Sequence, residues 1–280
     1  MKRHSAALAA TFFLLAGCGQ RDTAATIELP LGPTVLQQIF GGMYEAGHLP
    51  PAGKTPSVPV VIIPHHLPAA ITIAAGIRAL TSDPPSSVLL LSPDHFNACP
   101  ALLCTAAVRF RSSLGTTEAD DDALKILRAS PLVHVDREIF RREHGITAVI
   151  PFLSHLLPGT RVTPVVLAQR PDWKAHQNEL LSLLGHIAEE GGVLLVSSDF
   201  SHDLRLSEAD AADEETAHTL FTRDFTGIAS LANPSQSDCP ACLWLAARIA
   251  DEHSAWNPSV LLHTNSARLL REEQAPSTTS

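Results

Sequence analysis

Val193-Leu194-Leu195-Val196-Ser197-Ser198-Asp199-Phe200-Ser201-His202 runs four apolar residues straight into a polar exit that carries a carboxylate and an imidazole. An unbroken apolar run of this kind suits a strand buried on both faces, as in a parallel sheet, whereas a strand wet on one face alternates. Two further stretches share the build: Val60-Val61-Ile62-Ile63 leads into Pro64-His65-His66, and Leu89-Leu90-Leu91 leads into Ser92-Pro93-Asp94-His95. Outward from these, helix-like segments at 69–80, 120–129, 148–157, 174–190, 208–221 and 241–253 alternate with extended ones at 58–63, 88–91, 132–135, 162–167 and 193–196, with a last strand at 260–263. The alternation predicts an α/β fold, a single domain with a central, mostly parallel sheet flanked by helices.

In such a sheet the crevice beyond the carboxyl ends of the strands collects residues that are distant in sequence. All three exits carry metal-competent side chains, which makes His65, His95, Asp199 and His202 candidate ligands, with His66 and Asp94 as secondary candidates. Asp199 and His202 form a D-x-x-H pair able to offer one oxygen and one nitrogen to an ion; Asp199 as the cap of a helical turn is the alternative. Cys239 stands just before the helix expected at 241–253, where free N–H groups and the helix dipole favour a metal-binding thiolate. A Cys239–Cys242 disulfide is the competing use, and Cys99 and Cys104 are close enough in sequence to pair as well.

The first residues read as a processing segment. Lys2 and Arg3 precede an apolar run from Ala6 to Leu15 that is too short to span a bilayer, and Leu15-Ala16-Gly17 lead into Cys18. This resembles a bacterial lipobox, which implies a signal peptide over 1–17 and lipidation of Cys18; ordinary secretion with Cys18 discarded or unmodified is the alternative. The expected organisation is then a lipid-anchored tether over 18–30, one α/β domain over 31–271 and a polar tail over 272–280. Gly19 after Cys18 favours the outer membrane facing the periplasm if the source is Gram-negative. The net charge of −9, with no Lys/Arg cluster, argues against nucleic acid as a partner.

Taken together, these residues are similar to those of the Memo family (AmmeMemoRadiSam system protein B-like), relatives of the class III extradiol dioxygenases. That family carries P-H-A-G-Y, G-P-S-H-H, E-H-x-x-E, S-D-F-S-H and C-G in this order. Here Pro64-His65, Pro93-Asp94-His95, Glu143-His144, Ser198-Asp199-Phe200-Ser201-His202 and Cys239 follow the same order. The resemblance implies a metal held by His65, His95, Asp199, His202 and Cys239, with Glu143 and His144 in catalytic roles. The departures are His66-Leu67-Pro68 after the first histidine, Phe96-Asn97 after the second, Thr147 for the second glutamate and Pro240 for the glycine.

Imidazoles with a carboxylate suit iron, copper or zinc, and an added thiolate favours the softer ions. Iron or copper supporting a redox or oxygen-linked reaction on a small-molecule substrate is the first functional expectation. A non-catalytic metal-handling protein, a module binding a protein partner through the same pocket, and a zinc hydrolase with Glu143 as base are the alternatives. Membrane attachment through Cys18 is directly testable. Wild type is expected to partition with membranes and to incorporate labelled fatty acid, whereas Cys18→Ser should do neither.

Overall fold

Successive residues of a strand point to opposite faces, so an apolar run must be covered twice. The computed structural model, which describes residues 25–29, 60–190, 192–253, 256–271 and 276–280, shows both covers. Its strands are β1 (Ala25–Glu28), β2 (Val60–Ile63), β3 (Ser87–Pro93), β4 (Leu103–Thr105), β5 (Val108–Ser112), β6 (Gly115–Glu118), β7 (Val133–Val135), β8 (Arg161–Leu167), β9 (Gly192–Ser197), β10 (His202–Leu204) and β11 (Ser277–Thr278). Val88 and Leu90 of β3 and Val193 and Leu195 of β9 pack against the helices Ala70–Arg78 and Ile150–Leu156. Their neighbours Leu89, Leu91, Leu194 and Val196 pack against Asp121–Ala129, Gln177–Glu189 and Pro240–Glu252.

The main sheet has six strands in the order β2-β9-β3-β8-β4-β7. The first four are mutually parallel; β4 runs antiparallel to β8 and carries β7 parallel to itself. The expected α/β class and largely parallel sheet are therefore present. Neighbouring strands lie about 4.8 Å apart. The consecutive order β2-β9-β3 thus sets the exits at Pro64, Ser198 and Asp94 side by side.

Three expectations require correction. Residues 260–263 form no strand: Val260 is 61% exposed, and an apolar run without a partner strand has no ladder to join. The pairing falls instead to β11, antiparallel to β10, within the stretch expected to be a polar tail. Thr279 N–H donates to the Ser201 carbonyl at 2.9 Å, and Phe200 N–H donates to the Thr279 carbonyl at 3.1 Å, so this segment fastens the loop after β9. At the other end, Ala25–Glu28 fall inside the expected tether but pair in parallel with β5, with Ile27 buried. Together with β6 these strands make a second, three-stranded sheet. Its alternation of Val108 and Phe110 inward with Arg109 and Arg111 outward is a half-buried pattern. The leader 1–17, Cys18 and the tether up to residue 24 lie outside the described residues.

Leu195 is wholly buried at the centre of the sheet. Leu195→Ala is expected to lower stability by about 2–5 kcal/mol, read by denaturant unfolding, because the surrounding side chains can only partly close the cavity.

Candidate metal centre

His65 leaves β2 with its backbone N–H donating to Asp199 Oδ1 at 3.1 Å, which ties the first exit to the third. Its Nδ1 lies 3.0 Å from Ser197 Oγ, and Ser197 donates its own hydroxyl proton to the Gly145 carbonyl at 2.6 Å. Ser197 must then accept from His65, so Nδ1 carries a proton and Nε2 is the nitrogen turned to the centre. That Nε2 is 3.2 Å from Asp238 Oδ2 and 3.4 Å from Asp199 Oδ2, yet it is buried and has no hydrogen-bond partner.

His95, after β3, is oriented from behind in the same manner. Its Nδ1 lies 2.5 Å from Glu143 Oε1, its backbone N–H donates to Glu143 Oε2 at 3.1 Å, and its Nε2 faces Asp238 Oδ2 at 3.4 Å. A carboxylate behind an imidazole fixes the tautomer and raises the basicity of the nitrogen that faces a metal. Glu143 is fully buried and also accepts from Gly145 N–H at 3.1 Å. With three N–H groups on its two oxygens it orients His95. Gly145 is required by close approach, since a Cβ there would stand 2.0 Å from Ser92 Oγ.

Asp238 completes the cluster. The turn before the helix Pro240–Glu252 brings it in, with Asp238 N–H donating to the Asp199 carbonyl at 3.3 Å and Ser198 Oγ donating to Asp238 Oδ1 at 2.6 Å. Potential ligand atoms of His65, Asp199 and Asp238 lie within 4.8 Å of one another, and so do those of His65, His95 and His144. His144 has half its side chain exposed and packs on His95 with ring centroids 3.9 Å apart. His65, which belongs to both sets, is the hinge of the site.

The remaining candidates fall outside this centre. Cys239 is bonded to Cys242, as Cys99 is to Cys104, so the sulfur expected to ligate is consumed in a disulfide. Asp238, one residue earlier, is the donor that the sequence reading passed over in favour of the cysteine; a carboxylate just ahead of a proline-started helix was the available signal. His202 joins neither group of converging atoms, yet its buried Nε2 also has no hydrogen-bond partner and lies 3.7 Å from the same Asp199 Oδ2 that faces His65. Because His202 opens β10, Asp199 caps no helical turn. His66 joins neither group of converging atoms. Asp94 is turned away altogether, accepting from Ala98 N–H at 3.0 Å and Cys99 N–H at 2.7 Å.

Burial opposes the positive charge on His65, but Asp199 and Asp238 outweigh it and raise its pKa. His95 is likewise opposed by burial and raised by Asp238 and Glu143, to about 9. Burial, with His95 and His65 adding to it, pushes His144 down to about 4. Asp238 stays well below the usual carboxylate range because the two histidines outweigh its burial. The acids thus retain positive charge on two imidazoles, the charge that one divalent ion would supply. The orphaned His65 Nε2 and the mixed nitrogen and oxygen donors fit such an ion.

An α/β protein with a histidine and aspartate centre at its strand exits is the class that fold and site define. A family model described as Memo-like protein matches residues 33–240, so the chain belongs to the Memo-like family. A MEMO1 family protein of Sulfurisphaera tokodaii is 23% identical over 220 residues, covering 76% of this chain and 73% of the relative. Another, from Pyrobaculum arsenaticum, is 25% identical over 254 residues, covering 86% and 84%. The crystal structure of an uncharacterized protein from Escherichia coli K12 aligns with a TM-score of 0.41 at 17% identity, covering 73% of this chain and 91% of the other.

The raised pKa of His95 has a definite sign in the metal-free protein. Its contribution to stability is complete below the ordinary 6.5 and is lost as pH rises through about 9. Glu143→Gln should flatten the fall in melting temperature across that window. The same substitution should weaken metal binding by about 10- to 100-fold.

Proposed function

We propose that this protein holds one divalent transition-metal ion, iron(II) before copper or zinc, between His65, His95, Asp199 and Asp238, with His144 at the open side. The observation that carries this reading is the buried Nε2 of His65, unpartnered between two carboxylates. Two buried carboxylates facing one buried imidazole nitrogen call for positive charge between them, which a divalent cation would supply in place of a proton. With Cys239 in a disulfide the donors are nitrogen and oxygen alone, a set that suits non-haem iron and removes the reason for favouring copper.

His65, Asp199 and Asp238 are buried, and His144 is the member of the cluster with half its side chain in solvent. A side open to solvent supports an enzyme over a closed carrier site. Bound iron would supply redox or oxygen-linked chemistry there. His144, pushed down to about 4, is neutral at pH 7 and offers an unprotonated nitrogen on that side. A hydrolase reading lacks its base, since Glu143 is occupied in orienting His95. Export and anchoring through Cys18 remain part of the proposal, supported by the lipobox and by two disulfides of the kind that persist in oxidising compartments.

Elemental analysis of protein purified without added metal or chelator tests the reading. Wild type should carry about one equivalent of metal, with iron foremost after anaerobic reconstitution, and His65→Ala and Asp238→Asn should carry little. Cys239→Ser should retain its metal, because the sulfur is no ligand. Absence of metal from wild type even after reconstitution would exclude the proposal.

A further inference from the structure

β2 is the end strand of the main sheet, and only one of its two sides is paired among the described residues. Ser198 N–H donates to the Ile63 carbonyl at 2.9 Å, so Val61 and Ile63 are the residues that address β9. Successive peptide groups of a strand turn to opposite sides, and the N–H and C=O of Val60 and Ile62 therefore point away from β9. No strand among the described residues meets them. β2 is only partly buried, and unpaired main-chain groups on such an edge are a template for another extended chain.

Beside that edge lies a cavity of about 1070 Å³. Thr72, Gly76 and Ala79 of the helix Ala70–Arg78 line one wall, and Ala246, Ala247 and Ala250 of Pro240–Glu252 line another. The helices that cover the two faces of the sheet thus also bound the space beyond its last strand, and the side chains they place there are small. Room is left between them for one more strand with its side chains. Opposite β2 the lining is large and apolar, with Phe221, Trp256, Val260 and Leu262, and Phe221 is 45% exposed.

Charge in the cavity is uneven. Asp210, Asp213 and Glu214 line it from the helix Leu206–Phe221, against Arg268 and His263 alone. Asp210 is paired with Arg268 at 2.7 Å and Asp213 with His263 at 3.3 Å, whereas Glu214 has no cationic partner among the described residues.

We infer that this slot is a docking site for an extended peptide of another protein. The peptide adds to β2 as a further parallel or antiparallel strand, sets apolar side chains against the small residues of the two helices, and presents a Lys or Arg to Glu214. A second copy of the chain is the poorer occupant: its own β2 stands between the same two helical walls, which would meet those of the first copy before the strands could pair. The inference is independent of the metal reading, since no residue lining the slot belongs to the ligand set.

The test is fluorescence anisotropy of the full-length protein with a labelled peptide, Lys-Val-Thr-Val-Thr-Val-Lys. Two controls accompany it, the same peptide methylated on every internal main-chain nitrogen and one with glutamate in place of lysine. The methylated peptide should bind at least about tenfold more weakly, through loss of the ladder, and the glutamate peptide about three- to tenfold more weakly, through the charge. Glu214→Gln should remove most of the second difference. Ala250→Phe, which fills the slot, should weaken the lysine peptide about tenfold or more with an unchanged far-ultraviolet circular dichroism spectrum. Equal binding of the methylated peptide, or binding that Ala250→Phe leaves intact, would overturn the inference. So would the absence of binding to wild type, as when residues 260–262 of the chain itself close on β2. A wild-type dimer that Ala250→Phe converts to monomer would give the edge to a second copy and overturn it as well.

Discussion

Parallel pairing of β9 with β2 on one side and β3 on the other brings three chain exits into one crevice. β3 and β9 are buried on both faces and the edge strand β2 is partly buried, so slipping one residue would mismatch the side chains packed on each face. The register is thereby held by the core, and with it the spacing of His65, His95 and Asp199. Only Asp238 and His144 arrive by other routes, one on the turn before the helix Pro240–Glu252 and one on the short helix His144–Thr147.

Electrostatics then acts on that geometry. Asp199, Asp238 and Glu143 are all buried, and a buried carboxylate is tolerated only with charge or hydrogen bonds supplied to it. Backbone N–H groups and serine hydroxyls meet part of the demand, and His65 and His95 meet the rest. The site is thus organised around a requirement for positive charge, which protons meet and a metal ion at the same atoms could meet.

The sheet was legible because its strands read as unbroken apolar runs with repeated polar exits, and His65, His95 and Asp199 were legible because they stand at those exits. Asp238 was not, since its place depends on the turn at Ser198 and Ser237, where the Ser198 hydroxyl supports it. The sequence cannot choose between a thiolate and a disulfide for Cys239, because both use the same short spacing and the same helix start. Asp94 was misleading for a related reason: a carboxylate at a strand exit can bind an ion or collect N–H groups of its own loop, and local geometry decided for the loop. The strand expected at 260–263 failed because hydrophobicity alone does not provide a partner edge, whereas 277–278 found one at β10.

The two disulfides flank the centre in sequence, Cys239 adjoining Asp238 and Cys99 closing the loop that begins at His95. Oxidised, the polypeptide offers a nitrogen and oxygen donor set; reduced at Cys239 and Cys242, it would carry two thiols next to Asp238 that suit softer ions. The redox state in which the chain matures would thus bear on which ions suit the proposed site.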